Sequence, residues 1–406
     1  MMSREVVVLS AARSAIGSYG GSLSGMEPSE LAGVVMKEAV ARSGADPAKI
    51  NYVTVGNTMP TDSRYAYVAR VAAIQAGLPM DSVAMAVNRL CSSGLQAIVT
   101  TAQGIMLNDY DYGVGGGVEV MSRAMGGGVE VMSRAMYGAT AMRNGARMGD
   151  TKMIDLMVAV LTDPFGVGHM GITAENLAEK WKITREDQDA FAVESHRRAA
   201  AAIKEGRFKS QIVPITLKTR KGDVVFDTDE HCKPDTTMET LGKMKPAFKK
   251  EGGTVTAGNA SGVNDGAAFM VLAAADVAAK AGQKPIARLV SYAVAGVPNH
   301  IMGEGPIPAT KIALQRAGLT LDKMDVIESN EAFAAQAIAV TKGLGLDPAK
   351  TNVNGGAVAL GHPVGCTGAA IATKAIFELH RTNGKYCLVT MCIGGGQGIA
   401  AVFEKL

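Results

Sequence analysis

Apolar residues along this chain follow two rhythms. Short runs rich in β-branched residues, closed by glycine or small polar residues, predict strands: REVVVLSAARS, NYVTVGN and SVAMAVNRL. Between such runs the spacing turns helical. One amphipathic helix is predicted over 30–42 and another over 95–106, where Leu95, Ile98, Val99, Ala102, Ile105 and Met106 fall on one face. Strands alternating with helices predict an α/β class with largely buried sheets.

The second half repeats the plan in different words. ARLVSYAVAGV answers VVVLSAARSAIGS, MDVIESNEAF answers INYVTVGNTMP, TNVNGGAVALGHPVGCTGAAI answers AMAVNRLCSSGLQAI, and YCLVTMCIGGGQG answers DYGVGGGVEVMS. In each half a strand is expected to end in a small-residue turn that opens a helix. The expectation is two α/β halves related by pseudo-symmetry: 1–122, completed by 264–285, and 286–406. Between them, 123–263 is more polar and irregular, which fits an inserted loop domain serving as a lid or ligand platform.

One phrase is written twice. GGGVEVMSRAM fills 115–125 and again 126–136 without a change. Repeat architectures need about three units of roughly 20–50 residues, so two copies of this length do not make one. If VEV forms a buried strand, the sheet has one slot for it, and the other copy has to leave the sheet.

Composition narrows the classes. Across 406 residues the formal charge is +3, which makes no case for nucleic-acid binding. Basic residues concentrate locally: 196–223 holds eight Lys/Arg and two acids, either a solvated helix face and turn or a landing surface for a phosphorylated ligand. Five cysteines without framework spacing predict free thiols in a reducing compartment, with the cytoplasm as the expected location. No run approaches the about 18 apolar residues of a membrane span, so no membrane partner is expected.

Four stretches carry candidate chemistry. In VNRLCSSGLQAI, Cys91 stands where a strand meets a helix. A helix N-terminus favours thiolate over thiol, and Ser92, Ser93 and Gly94 are too small to crowd a reactant; a buried, inert cysteine is the alternative. In NVNGGAVALGHPVGCTGAA, His362 lies in a glycine-dense turn, placed either to take a thiol proton or as a structural histidine. In LVTMCIGGGQG, Cys392 precedes Gly394, Gly395 and Gly396, whose N–H groups fit an oxyanion hole or an anion nest. The Lys-Ser/Thr of a phosphate loop is missing there, and His362, Cys366, Cys387 and Cys392 match no common zinc spacing. In SNEAFAAQ, Asn330 is either a plain helix cap or a holder of a catalytic water.

VNRLCSSGLQA, SNEAFAAQ, GGAVALGHPVGCTGAA and CIGGGQG, in that order, resemble the signature blocks of thiolases; TVTAGNASGVNDGAA and HMGITAEN are also similar. The resemblance spans essentially the whole chain and is strongest to the bacterial acetyl-CoA acetyltransferase and β-ketothiolase branch. It implies a five-layered α-β-α-β-α fold of two like halves plus a loop domain that binds coenzyme A and forms tetramers. It also implies that the doubled phrase occurs once in relatives, as the last strand of the first half runs into the loop domain.

By the same resemblance, Cys91 is the acyl-accepting nucleophile, His362 its activating base, and Cys392 the acid/base acting at C2 of the second acyl-CoA. Asn330 positions a water that helps His362 stabilise the enolate, and the N–H groups of Cys91 and Gly394 form a second oxyanion hole. Leu161, His169, Met170, Lys233, Thr240, Ala257 and Ser261 are implied coenzyme A contacts, with Met302 and Phe333 lining the acyl pocket. The family often has Arg where Lys233 stands, and Lys meets a phosphate only as a point charge. The implied activity is ping-pong Claisen condensation of two acetyl-CoA and the reverse thiolysis. The alternatives are a 3-ketoacyl-CoA thiolase of broader chain length and a catalytically silent acyl-CoA or lipid binder. Coenzyme A enters as substrate. No tightly bound cofactor or metal is expected, and the implied assembly is a homodimer or homotetramer.

Overall fold

The structure, a computed structural model, describes residues 4–59, 61, 64–123, 137–138, 154–220 and 222–406. Its spine is one ten-stranded sheet. The first half contributes β1 (Val6–Arg13), β2 (Tyr52–Gly56), β3 (Val83–Val87), β4 (Tyr112–Val120) and β5 (Asn264–Ala274), with the two-residue strand Gly17–Ser18 beside β5. The second contributes β6 (Ala287–Gly296), β7 (Val326–Ser329), β8 (Tyr386–Ile393) and β9 (Gln397–Lys405). The order is β7-β8-β9-β6-β1-β5-β4-β2-β3.

Both halves read outward from the middle in the same way. β1, β5 and β4 pair antiparallel, and β2 then adds parallel to β4; β6, β9 and β8 pair antiparallel, and β7 adds parallel to β8. The symmetry breaks at the edges. β3 continues the first half, whereas its counterpart shrinks to a single bridge between Ile327 and Thr351. The strand expected ahead of the second-half turn is therefore absent: TNVN carries two Asn, and Asn352 takes a left-handed φ of 46° that ends an extended run. The halves meet where β1 touches β6 through Val7↔Arg288 and Val8↔Ala287.

Period-2 alternation turns this sheet into five layers. Val7, Leu9, Val114, Val118, Phe269 and Val271 face outward onto α1 (Pro28–Ser43) and α2 (Val68–Gln75). Val6, Val8, Met270 and Leu272 face the other way, onto α3 (Ser93–Met106) and α8 (Val364–Thr382). Val389, Met391, Ile399, Ala401 and Phe403 cover the same helix pair from the second half. Leu388, Ala400 and Val402 then face α6 (Pro306–Ala317) and α7 (Ala334–Leu344). The order is helices, sheet, helices, sheet, helices, as expected for the class.

α3 and α8 cross closely because glycines line the crossing. A Cβ on Gly94 would lie 2.9 Å from the Gly365 carbonyl, and one on Gly368 would lie 2.7 Å from Leu95 Cβ. That is contact no side chain tolerates without a shift, so these glycines bring the two helix starts together.

The doubled phrase resolves in part. Its first copy enters the sheet: Gly115–Val120 of β4 pair with β5 on one side, and 115–117 with β2 on the other. Its Ser122 is strapped to Asp265 through N–H (2.8 Å) and hydroxyl (2.5 Å). The interior slot is thus taken by copy one; the second copy, 126–136, lies outside the described residues.

The inserted segment contributes α4 (Met170–Lys180) and α5 (Arg185–Lys204), followed by a hairpin of Ile215–Thr219 and Gly222–Phe226. Much of the basic stretch is engaged in protein contacts. Arg197 and Arg198 pair with Glu194, Arg198 also donates to the Thr351 carbonyl (2.7 Å), and Arg207 donates to Asn354 Oδ1 (2.7 Å). Arg198 and Arg207 fasten the insertion to the second half. Among the described residues, no helix is long and apolar enough to cross a membrane.

Candidate active site

Cys91 sits in a 3₁₀ turn, Leu90–Ser92, between β3 and α3. The turn is set by its neighbours. Leu90 adopts φ of 47°, left-handed and costly for a branched residue. Its N–H donates to Asn88 Oδ1 (2.9 Å), and its carbonyl accepts from Ser93 Oγ (2.7 Å) and Thr58 Oγ1 (3.4 Å).

The expected thiolate preference is corrected here. Loss of water around the sulfur pushes the Cys91 thiol up to about 11, although the N–H groups of Gly394 and Cys91 itself pull the other way. Burial outweighs the helix end, so Cys91 rests as a thiol. Gly94 is also small enough to admit α8.

His362 lies in the turn ahead of α8. A Cβ on Gly361 (φ 100°) would run into the Asn264 side chain, and Asn264 Oδ1 accepts the His362 N–H (2.9 Å). The imidazole is held at both nitrogens. Nδ1 lies 2.6 Å from Thr367 Oγ1, and that hydroxyl donates its own hydrogen to the Pro363 carbonyl (2.9 Å). Thr367 therefore accepts from Nδ1–H, which leaves Nε2 as the basic nitrogen. Asn330 Nδ2 stands 3.5 Å from Nε2. Burial lowers His362 to about 4, so it is neutral at rest. Asn330 Oδ1 is buried without a hydrogen-bond partner among the described residues.

Cys392 ends β8 and is fully buried. Burial raises its thiol above the usual range, and the neighbouring Cys91 raises it further. After it, Gly395 and Gly396 take φ of 78° and 91° and turn the chain directly into β9. A strand-to-strand hairpin is not the strand-to-helix frame of a phosphate loop, which disposes of that alternative. Gly394 closes the site from above, for a Cβ there would lie 3.1 Å from Leu90 Cδ1 and 3.5 Å from Met170 Sδ.

The fold thus gathers four separated stretches around one turn. α8 and β8 both pack on Leu90–Ser92, and Asn330 reaches His362 from the end of β7. Among the described residues, no group of three or more His, Cys, Asp or Glu is placed to hold a metal, and all five cysteines are free.

The expected coenzyme A contacts divide into two sets. Met170, Met302 and Phe333 share one apolar cluster with Cys392. His169 joins it by stacking on Phe248 (4.7 Å), which meets Phe333 edge-on at 6.0 Å. Leu161 accepts the Met170 N–H (2.8 Å), and Ser261 Oγ donates to the Ala332 carbonyl (2.9 Å). Lys233, Thr240 and Ala257 stand exposed outside that cluster. The Lys233 N–H is held by His196 Nδ1 (3.1 Å), and Thr240 is occupied in a helix cap with Thr237.

Several contributors escaped the sequence reading: Thr367, Asn264, Leu90, Thr58 and Phe248. Thr367 had a usable signal, since a hydroxyl one helical turn beyond Pro363 returns beside the histidine. Asn264 and Thr58 had none, because their partners are set by the packing of distant segments.

Comparison with known proteins agrees with this geometry. Residues 6–126 and 123–276 match Thiolase, N-terminal domain, in two pieces that overlap at the doubled phrase, and 283–405 match Thiolase, C-terminal domain. The chain is 56% identical to the beta-ketothiolase BktB of Cupriavidus necator, with 100% of both chains covered. It superposes on the Bacillus anthracis acetyl-CoA acetyltransferase with TM-score 0.94 at 45% identity, covering 100% of both chains. Human mitochondrial 3-ketoacyl-CoA thiolase in complex with CoA matches with TM-score 0.93 at 42% identity, over 99% of this chain and 98% of that one. With matching motifs, layers and relatives along its whole length, the chain belongs to the thiolase family.

Proposed function

We infer that this chain is an acetyl-CoA C-acetyltransferase that condenses two acetyl-CoA to acetoacetyl-CoA and coenzyme A, and runs the reverse thiolysis, through an acetyl-Cys91 intermediate. One observation carries the reading: the row Asn330–His362–Thr367 puts the basic nitrogen of a neutral histidine at Nε2, in a fold that also sets Cys91 next to Cys392.

The proton inventory closes with the groups present. Cys91 attacks the thioester carbonyl and its proton passes to His362 Nε2. Cys392, a thiol at rest, gives its proton to the departing coenzyme A thiolate. The acetyl group is then on Cys91, His362 is protonated, and Cys392 is a thiolate. That thiolate removes a C2 proton from the second acetyl-CoA, whose enolate oxygen faces His362 Nε2–H and a water on Asn330. C2 attacks acetyl-Cys91 and the adduct oxyanion accepts from the N–H groups of Cys91 and Gly394. Collapse releases acetoacetyl-CoA, and Cys91 recovers its proton from His362. The raised thiols support this order, because both cysteines start as proton donors. Met170, Met302, Phe333, His169, Leu161 and Ser261 are read as the acyl-CoA platform, and Lys233, Thr240 and Ala257 as its outer rim.

Product-inhibition patterns for acetoacetyl-CoA thiolysis test the reading; ping-pong kinetics are expected, and sequential kinetics would contradict it. Rates on longer 3-ketoacyl-CoA separate the acetyl reading from the broader-chain alternative, which the beta-ketothiolase relative keeps in view. The silent-binder alternative loses support from the intact Cys91, His362 and Cys392.

A homodimer or homotetramer is part of this proposal. β3 is an edge strand whose Val83 and Met85 are 53% and 37% exposed, a template for pairing with a second copy. Sedimentation tests it. A cytoplasmic location is proposed from the five free cysteines.

A further inference from the structure

Glu119 is fully buried, takes no part in the chemistry above, and has no ion-pair partner among the described residues. Its carboxylate is held by N–H groups and by the Thr58 side chain. Oε1 accepts from Asn57 Nδ2 (2.9 Å) and Met59 N (3.2 Å), and Oε2 from Thr58 N (3.0 Å) and Gly365 N (3.0 Å). A carboxylate is the one side chain of this shape that accepts at both oxygens. A glutamine would turn donor hydrogens toward N–H groups. Burying a charge without a counter-ion is unfavourable, which shows in a carboxyl raised to about 7 despite those donors. Such a group needs a reason to be there.

The reason lies in what it joins. The loop 57–59 follows β2, and Thr58 Oγ1 donates to the carbonyl of Leu90, the strained residue ahead of Cys91 (3.4 Å). The same hydroxyl lies 3.5 Å from Ser93 Oγ, which donates to that carbonyl too (2.7 Å). Gly365 is in the first turn of α8, three residues past His362. One carboxylate on β4 therefore connects to the nucleophile's turn on one side and to the base's turn on the other.

We propose that Glu119 is a positioning residue, locking the Cys91 turn and the His362 turn at the separation that proton transfer requires. This rests on the function proposed above. It acts through Thr58 and Gly365 and touches no substrate.

The test uses the full chain. For Glu119→Gln, retention of fold is checked by circular dichroism and a cooperative melt. Then kcat and KM for acetoacetyl-CoA thiolysis and the single-turnover rate of Cys91 acetylation by acetyl-CoA are measured. The expected result is at least a tenfold fall in kcat and in acetylation, with KM for coenzyme A within threefold, because the acyl-CoA platform is untouched. Thr58→Val, near in shape, keeps the Thr58 N–H to Glu119 and removes the hydroxyl that joins this loop to Leu90; at least a threefold slower acetylation is expected. A folded Glu119→Gln protein with kcat within threefold of the parent overturns the proposal. If that variant does not fold, Thr58→Val acetylating at the parental rate overturns it. An unmodified parent Cys91 would instead defeat the underlying function, so the two failures are told apart.

Discussion

The side-chain nitrogen of Asn330 stands 3.5 Å from Nε2 of His362, while its own carbonyl oxygen is buried with no hydrogen-bond partner among the described residues. Buried amide oxygens are seldom left unpaired, so this one marks the place of a bound water or substrate atom. Asn330→Ala is expected to lower kcat by about 10²-fold, the scale of a lost oxyanion contact. Hydrogen exchange at C2 of acetyl-CoA should slow in parallel, while acetylation of Cys91 changes less. Equal loss in both half-reactions would place Asn330 elsewhere in the cycle.

Thr367 fixes the histidine tautomer through the 2.6 Å contact at Nδ1. Thr367→Val keeps the shape and removes the acceptor. Loss of a buried hydrogen bond worth about 1 kcal/mol, with a tautomer now free to invert, predicts about a tenfold lower kcat. Thr367→Ser should restore most of it, and a silent Thr367→Val would remove this residue from the account.

Cys91, held up to about 11, is expected to alkylate slowly with iodoacetamide at neutral pH and faster as pH rises toward that value. Acetylation by acetyl-CoA should not follow the same curve, because His362 removes the proton during attack. His362→Asn is expected to slow acetylation by about 10³-fold, within the range of a lost general base, and to leave alkylation at high pH near the parental rate. Matching losses in the two reactions would count against His362 as the base.

His362 also carries a stability signature. Its folded value near 4 lies below the ordinary histidine value of 6.5. Between these values the unfolded chain binds a proton that the folded chain refuses, so stability is full above pH 6.5 and is lost as pH falls toward 4. Over that window the imidazole accounts for about 2–3 kcal/mol. His196 and His231, also lowered to about 4, act in the same direction. Glu119 and Glu328, raised to about 7, act in the opposite one, losing stability as pH rises from the carboxylate range. Denaturation of His362→Asn at pH 7 and 4.5 should therefore show a smaller acid loss than the parent; an unchanged difference would contradict a buried neutral imidazole.

Because the doubled phrase is identical, deleting either copy yields the same protein. That variant is expected to keep kcat within about threefold and to melt no lower, since one copy already fills β4. Loss of activity would give the second copy a function.

Much of this was legible in the letters. The short apolar runs such as REVVVLSAARS and NYVTVGN and the helical spacing of 95–106 located the elements, because burial on both sheet faces leaves an uninterrupted apolar run and burial on one helix face a periodic one. Cys91, His362, Cys392 and Asn330 stood out as chemistry-bearing residues in small-residue turns. Two things were not legible. The protonation of Cys91 depends on how much water the closed fold removes, and proximity to a helix start could not report that. Glu119, Thr58 and Asn264 act through partners distant in sequence, 246 positions in the Glu119–Gly365 contact, and such pairs exist only once the sheet and helices are stacked.

The central claim is most directly met by intact and peptide mass spectrometry after brief exposure to acetyl-CoA. The account predicts a single acetyl group, located on Cys91, absent from Cys91→Ala, and in Cys392→Ala forming more slowly but persisting, because that variant lacks both the acid of the first half-reaction and the base of the second. An acetyl group on any other residue, or none on a folded protein, would contradict it.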